Sequence, residues 1–169
     1  SILETYRRIH GPDHPRTMAA VANLANDLYE QGDLARAADL QLQVLDSSRR
    51  VYGPKHPNTL ELMVNLANTR ASQKDYAEAE RINREVLATE LEARGPAGRT
   101  AGIVRYNLLC EAALQHHRED ALRYLQEAVQ YGMPEEIVRN IDQDPDLESL
   151  RGDRTYGELV AQLKARPAP

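Results

Sequence analysis

HGPDHPRT (residues 10–17) returns as YGPKHPNT (residues 52–59), a shift of 42 positions. Laying residues 11–52 over residues 53–94 without a gap gives 15 identities in 42 positions. They are Gly11, Pro12, His14, Pro15, Thr17, Asn23, Leu24, Ala25, Asn26, Gln31, Asp33, Ala35, Ala37, Val44 and Leu45, each with its copy. Average residue usage would give about three by chance. A weaker third copy continues in register: Gly95, Pro96, Asn107, Leu108 and Ala121 follow Gly53, Pro54, Asn65, Leu66 and Ala79. A fixed period of this size is the mark of stacked supersecondary units.

Each unit reads as two helices. Val21, Leu24, Ala25 and Leu28 fall at i, i+3, i+4 and i+7, one apolar stripe. Gln31-Gly32-Asp33 interrupts it, and Asp33 is placed to cap the next helix, an interaction of ~1 kcal/mol. The second helix carries Leu34, Ala37, Leu40, Val44, Leu45 and Val51. Small Ala25 and Ala37 let the two helices approach closely. Copy two repeats the scheme with Leu66, Ala67, Asp75, Tyr76, Ala79, Ile82, Val86 and Leu87. The opening phrase is then a stop and restart between helices. Gly11 and Gly53 close a helix end in a left-handed conformation. Pro12 and Pro54 forbid continuation. His14 and His56 sit at N-caps, and Pro15 and Pro57 at N1, where a missing N–H costs nothing.

These residues resemble the tetratricopeptide repeat family, whose small and large positions match Leu24, Ala25, Leu28 and Ala37. The 42-residue period, the GPxHPxT corner and the NLAN helix are similar to its kinesin-light-chain-type variant, as found in bacterial multidomain proteins. The resemblance covers residues 1–131, and copy three departs from it, with GPAGRTA in place of GPKHPNT. It implies an all-α fold: a superhelix of antiparallel helix pairs, an α-α solenoid, that binds protein partners on its concave face without being an enzyme. The expected organisation is the end of a truncated preceding repeat at 1–10, repeats at 11–52, 53–94 and 95–131, and a C-terminal helical cap and tail at 132–169. SILETYRRIH supports the first of these, matching QVLDSSRRVY (43–52) at Leu3, Arg7 and Arg8. In the tail, Leu147, Leu150, Tyr156, Leu159, Val160 and Leu163 supply the inner side of a cap that hides the last apolar face. The tail is also similar to the ends of bacterial repeat proteins, including repeat regions that follow a serine/threonine kinase domain.

The composition bounds the function. With 169 residues the chain can bury a core, and a net charge of −5 argues against nucleic acid, whose phosphates need a basic face. No apolar run approaches the ~18–20 residues of a membrane span, and no leader or lipidation motif is visible. The single Cys110 cannot form an internal disulfide, so a reducing, cytoplasmic setting is expected.

The candidate site is a row of Asn: Asn23, Asn26, Asn65, Asn68 and Asn107. At 100° per residue, Asn23 and Asn26 lie opposite the apolar stripe. Asn offers donor and acceptor together, so a row of them can pair with an extended peptide backbone whatever its side chains. Asn is also a poor helix former, so its recurrence has a cost that mere surface polarity does not explain. Tyr29 and Tyr106 are candidate anchors, or packing between repeats. The same wall carries Ala19, Ala22, Val64, Ile103, Tyr106 and Leu114, with acidic Glu30 and Glu61. It lacks the basic carboxylate clamp of the chaperone-tail-binding relatives. An apolar or mildly basic segment is therefore the expected partner.

Other candidates fall away. His14 and His56 lack neighbouring ligands at metal spacing and belong to the corner. His116-His117 reads as a solvated turn. DQDPDLE (142–148) departs from a calcium loop at Leu147, Pro145 and Asp153, and reads as a turn and cap. Cys110 takes the place of Asn26 and Asn68, facing the groove or filling a small gap. No nucleophile elbow, phosphate loop or acid/base pair is visible, so no catalytic residue, metal or cofactor is expected. A spacer or self-association region, and a regulatory role beside an upstream catalytic domain, are the alternatives to peptide binding.

Overall fold

The computed structural model describes residues 8–166; of the opening segment's matches, Leu3 and Arg7 lie outside these. Residues 8–10 are helical. There follow α1 (Pro15–Glu30), α2 (Leu34–Val51), α3 (Pro57–Ser72), α4 (Tyr76–Arg94), α5 (Arg99–Leu114), α6 (Arg118–Tyr131) and α7 (Glu135–Asn140). Two 3-10 helices (Ile141–Gln143 and Pro145–Leu150) lead to α8 (Arg154–Lys164). No strand occurs among the described residues. The all-α expectation therefore holds, with helices packed on their chain neighbours. The chain divides into two compact units between Asp75 and Tyr76.

In the first unit α1 packs on α2, and α2 on α3. The corner works as its sequence predicts. Gly11 and Gly53 have φ of +81° and +92°, which residues with a Cβ rarely adopt. His14 and His56 are extended N-caps whose Nδ1 atoms accept from Arg16 N and Asn58 N, each at 3.2 Å. Each cap is also braced by a ring at the preceding helix end. His10 stacks on His14 with centroids 4.5 Å apart, and Tyr52 on His56 at 4.8 Å. Thr59 completes the turn, donating to Gly53 O at 2.8 Å and sharing a bond with Ser48 at 2.9 Å.

Asp33 caps α2 by accepting from Arg36 N at 3.3 Å. Ala25 and Ala37 are fully buried, as close helix approach requires. Met18, Val21 and Val44 form a core cluster covered by Ala22, Leu40 and Leu62. Two apolar expectations are corrected. Leu24 is 36% exposed, and the buried stripe of α1 runs instead through Thr17, Met18, Val21, Ala25 and Leu28. Val51 is also exposed, because α2 ends there at the corner.

In the second unit α5 packs on α4, on α6 and on the 3-10 helix Pro145–Leu150. With neighbours on several sides it is buried nearly all round, from Ala101 and Val104 to Leu108, Leu109 and Ala112. Gly98 stands where His14 and His56 cap the earlier helices, and it makes no side-chain cap bond. α8 packs on α6. Leu147, Leu150, Tyr156, Val160 and Leu163 are buried as expected, together with Ile141, while Leu159 is half-buried.

Candidate functional site

On α1 the exposed face opposite Val21, Ala25 and Leu28 carries Asn23, Asn26, Asp27 and Glu30, at i, i+3, i+4 and i+7. All four are exposed. On α3 the corresponding positions, 42 later, are Asn65, Asn68, Thr69 and Ser72, with exposed Glu61 one turn before them. Asn65 and Asn68 are half-buried. The side chains of Asn23, Asn26 and Asn65 make no hydrogen bond to another described residue, and Asp27, Glu30 and Glu61 make no ion pair among them. Each of those amides keeps its donors and acceptors for an outside group. Asp27 completes the stripe and was not singled out from the sequence; its i+4 spacing from Asn23 is the signal that marks it.

Tyr29 is 37% exposed, and its hydroxyl shares a 3.0 Å bond with Ser72, tying α1 to α3 beside the Asn stripe. Its ring edge is available, but its polar end is engaged. Ala19 is exposed and Ala22 half-buried, whereas Val64 is only 9% exposed and belongs to the core rather than to the wall.

In the second unit, Ile103, Tyr106, Asn107 and Leu114 are half-buried on α5. Cys110 is 7% exposed, so the filler reading is the one its position fits. Burial pushes its thiol well above the ordinary thiol range, with Asp146 and Glu111 adding to the rise. The thiolate needed for nucleophilic or metal chemistry is thus disfavoured.

Cys110, Asp144 and Asp146 bring three ligand atoms within 4.8 Å of one another. Asp144 is already used as the cap of the 3-10 helix, accepting from Asp146 N at 2.9 Å. With the thiol held protonated, this turn is a poor metal donor set. His116 and His117 are exposed in the turn before α6, as expected, and His116 holds a φ of +59°.

The geometry of both units is that of a helical scaffold presenting polar faces. The family model of the tetratricopeptide repeat matches residues 17–90, within the two strong copies. No curated protein matches the chain. Residues 17–90 are thus similar to the tetratricopeptide repeat, a non-catalytic repeat scaffold that generally mediates protein–protein interaction. No helix among the described residues is long and apolar enough to cross a membrane.

Proposed function

We propose that the chain is a non-catalytic interaction module that holds an extended peptide segment along the Asn stripes of its first unit. The observation that carries this reading is the pattern on α1: Asn23, Asn26, Asp27 and Glu30 on one exposed face, with no partner for any of these side chains among the described residues. Asn23, Asn26, Asn65 and Asn68 would pair with the backbone of the segment, and the ring of Tyr29 would anchor one side chain. Asp27, Glu30 and Glu61 favour a segment with basic residues, through complementarity that acts mainly on encounter rate and specificity. On α5, Tyr106 and Asn107 would serve a face of the second unit in the same manner. The 42-residue period and the GPxHPxT corner support the kinesin-light-chain-type variant, with repeats at 11–52, 53–94 and 95–131 and a cap beyond. A reducing cytoplasmic setting suits the lone, buried Cys110.

The test is a peptide screen read against a quadruple variant, Asn23→Ala, Asn26→Ala, Asn65→Ala and Asn68→Ala. Ala is the better helix former at every position, so the variant keeps its helices, and circular dichroism checks this. Peptides that bind the native chain, carry basic residues and are lost by the folded variant support the reading. Equal binding by both sinks it. A chain that binds no peptide but associates with itself points to the alternative, a spacer or self-association region.

A further inference from the structure

Helices α4 and α5 share one fully buried polar contact. Asn83 Nδ2 donates to Glu111 Oε1 at 2.7 Å, with Asn83 at 0% exposure and Glu111 at 3%. That bond uses one atom of each group. The other atom of each, Asn83 Oδ1 and Glu111 Oε2, is buried without a hydrogen-bond partner among the described residues. If the carboxyl is ionised, both orphans are acceptors and neither can satisfy the other. A buried acceptor left without a donor costs about 1–3 kcal/mol, more if charged.

A primary amide and a carboxylic acid are complementary, because each presents a donor and an acceptor side by side. One proton on Oε2 converts it to a donor for Oδ1 and satisfies both orphans at once. We propose that Glu111 is held as a neutral acid whose Oε2–H donates to Asn83 Oδ1, closing a two-bond acid–amide ring between α4 and α5 that opens when the proton leaves.

The groups around the ring do not replace that proton. From α4, Glu80 and Arg84 face it, and they pair with each other at 2.6 Å. Arg84 is also bound to Tyr124 of α6 at 3.1 Å and feels Asp120 of the same helix. From α5 itself, Gln115 donates to Glu80 at 3.2 Å. From the 3-10 helix, Asp146 acts on neighbouring Cys110. Burial is the main cause that pushes the Glu111 carboxyl from 4.5 up to about 8; the Asn83 bond opposes this, Glu80 adds to it and Arg84 offsets it.

Between those two values the folded chain keeps a proton that the unfolded chain has released. The folded state binds more protons there, so raising the pH destabilises it. The contribution is whole below 4.5 and is lost as the pH rises through about 8. The junction of α4 with α5 is thus an acid-closed, alkali-opened latch.

Two measurements test this. With 13C-labelled glutamate, the native chain should show one carboxyl that stays protonated at about pH 6 and titrates about two or more pH units above the others, and Glu111→Gln should remove that signal. Gln presents the same donor and acceptor at every pH. Its unfolding midpoint in urea should therefore stay level where the native chain's folding constant falls by up to about tenfold per pH unit. If every glutamate carboxyl titrates in the ordinary range, or if Glu111→Gln keeps the native pH dependence, the latch does not exist. Should the variant fail to fold, the titration of the native chain decides alone.

Discussion

Two glycines of the second unit lie within helices and should respond to Ala in opposite directions. Gly102 is on α5 and Gly157 on α8. In helix interiors Gly→Ala gains up to ~1 kcal/mol, because Gly loses more backbone freedom on folding. Around Gly157 there is open space, so Gly157→Ala should realise that gain. A Cβ on Gly102 would lie 3.0 Å from Met133 Cα, 3.1 Å from Pro134 Cδ and 3.3 Å from Gly132 O. Two of these atoms are backbone and the third is a Pro ring, so none can swing aside. Overpacking of this kind costs about 1–3 kcal/mol. The net effect of Gly102→Ala is a loss of ~1 kcal/mol, and the two variants should differ by ~2 kcal/mol. Urea unfolding followed by far-UV circular dichroism reads both, and both report on one compact unit. If Gly102→Ala stabilises the chain as much as Gly157→Ala does, segment 132–134 does not pass against α5 as described.

The corner and the cap offer further tests. His56→Ala removes the acceptor for Asn58 N and the stack on Tyr52. It should cost ~1 kcal/mol in urea unfolding, and an unchanged midpoint would show that the repeated His caps nothing. Tyr156 is buried on α8 with no hydrogen-bond partner for its hydroxyl among the described residues, and burial pushes its pKa up to about 12. Tyr156→Phe deletes an unsatisfied polar atom and keeps the ring, so it should be neutral or raise stability by up to ~1 kcal/mol. A clear loss of stability would reveal a bond to that hydroxyl and overturn this account.

The corners were legible because each of their residues acts locally. Gly53 answers to one backbone angle, Pro57 to one missing donor and His56 to one amide two residues ahead. None of these depends on what else the chain packs against. Leu24 shows the opposite case. It is identical to Leu66 and stands at the same place in the repeat, yet it is 36% exposed and Leu66 only 4%. A periodic pattern gives the face of a helix but not which neighbours cover that face. The same limit hid the buried polar groups. Nothing in the periodic pattern marks Asn83, Glu111 and Arg105 as buried. Their burial comes from α5 having helices on several sides, and Arg105 is matched there by Glu127 at 3.2 Å and Pro96 O at 2.7 Å.

The departures of the third copy form one pattern. Gly102 stands where Met18 and Leu60 fill core space, and segment 132–134 occupies the volume those side chains would take. Cys110 stands where Asn26 and Asn68 present amides, and it is buried where Asn26 is exposed. Gly98 stands where His14 and His56 cap, and the helix it begins is held by its packing on α4, α6 and the 3-10 helix instead. Each of these positions carries a smaller residue than its counterparts in the earlier copies, and at Gly102 the space admits segment 132–134. At Gly102 and Cys110 the third copy is covered, whereas the side chains of Asn23, Asn26, Asp27 and Glu30 on α1 have no partner among the described residues. Asn, a poor helix former, stands at Asn23, Asn26, Asn65 and Asn68; the third copy keeps it at Asn107 but has buried Cys110 at the position of Asn26 and Asn68. That contrast supports the proposal that a peptide would be held by the first unit rather than the second.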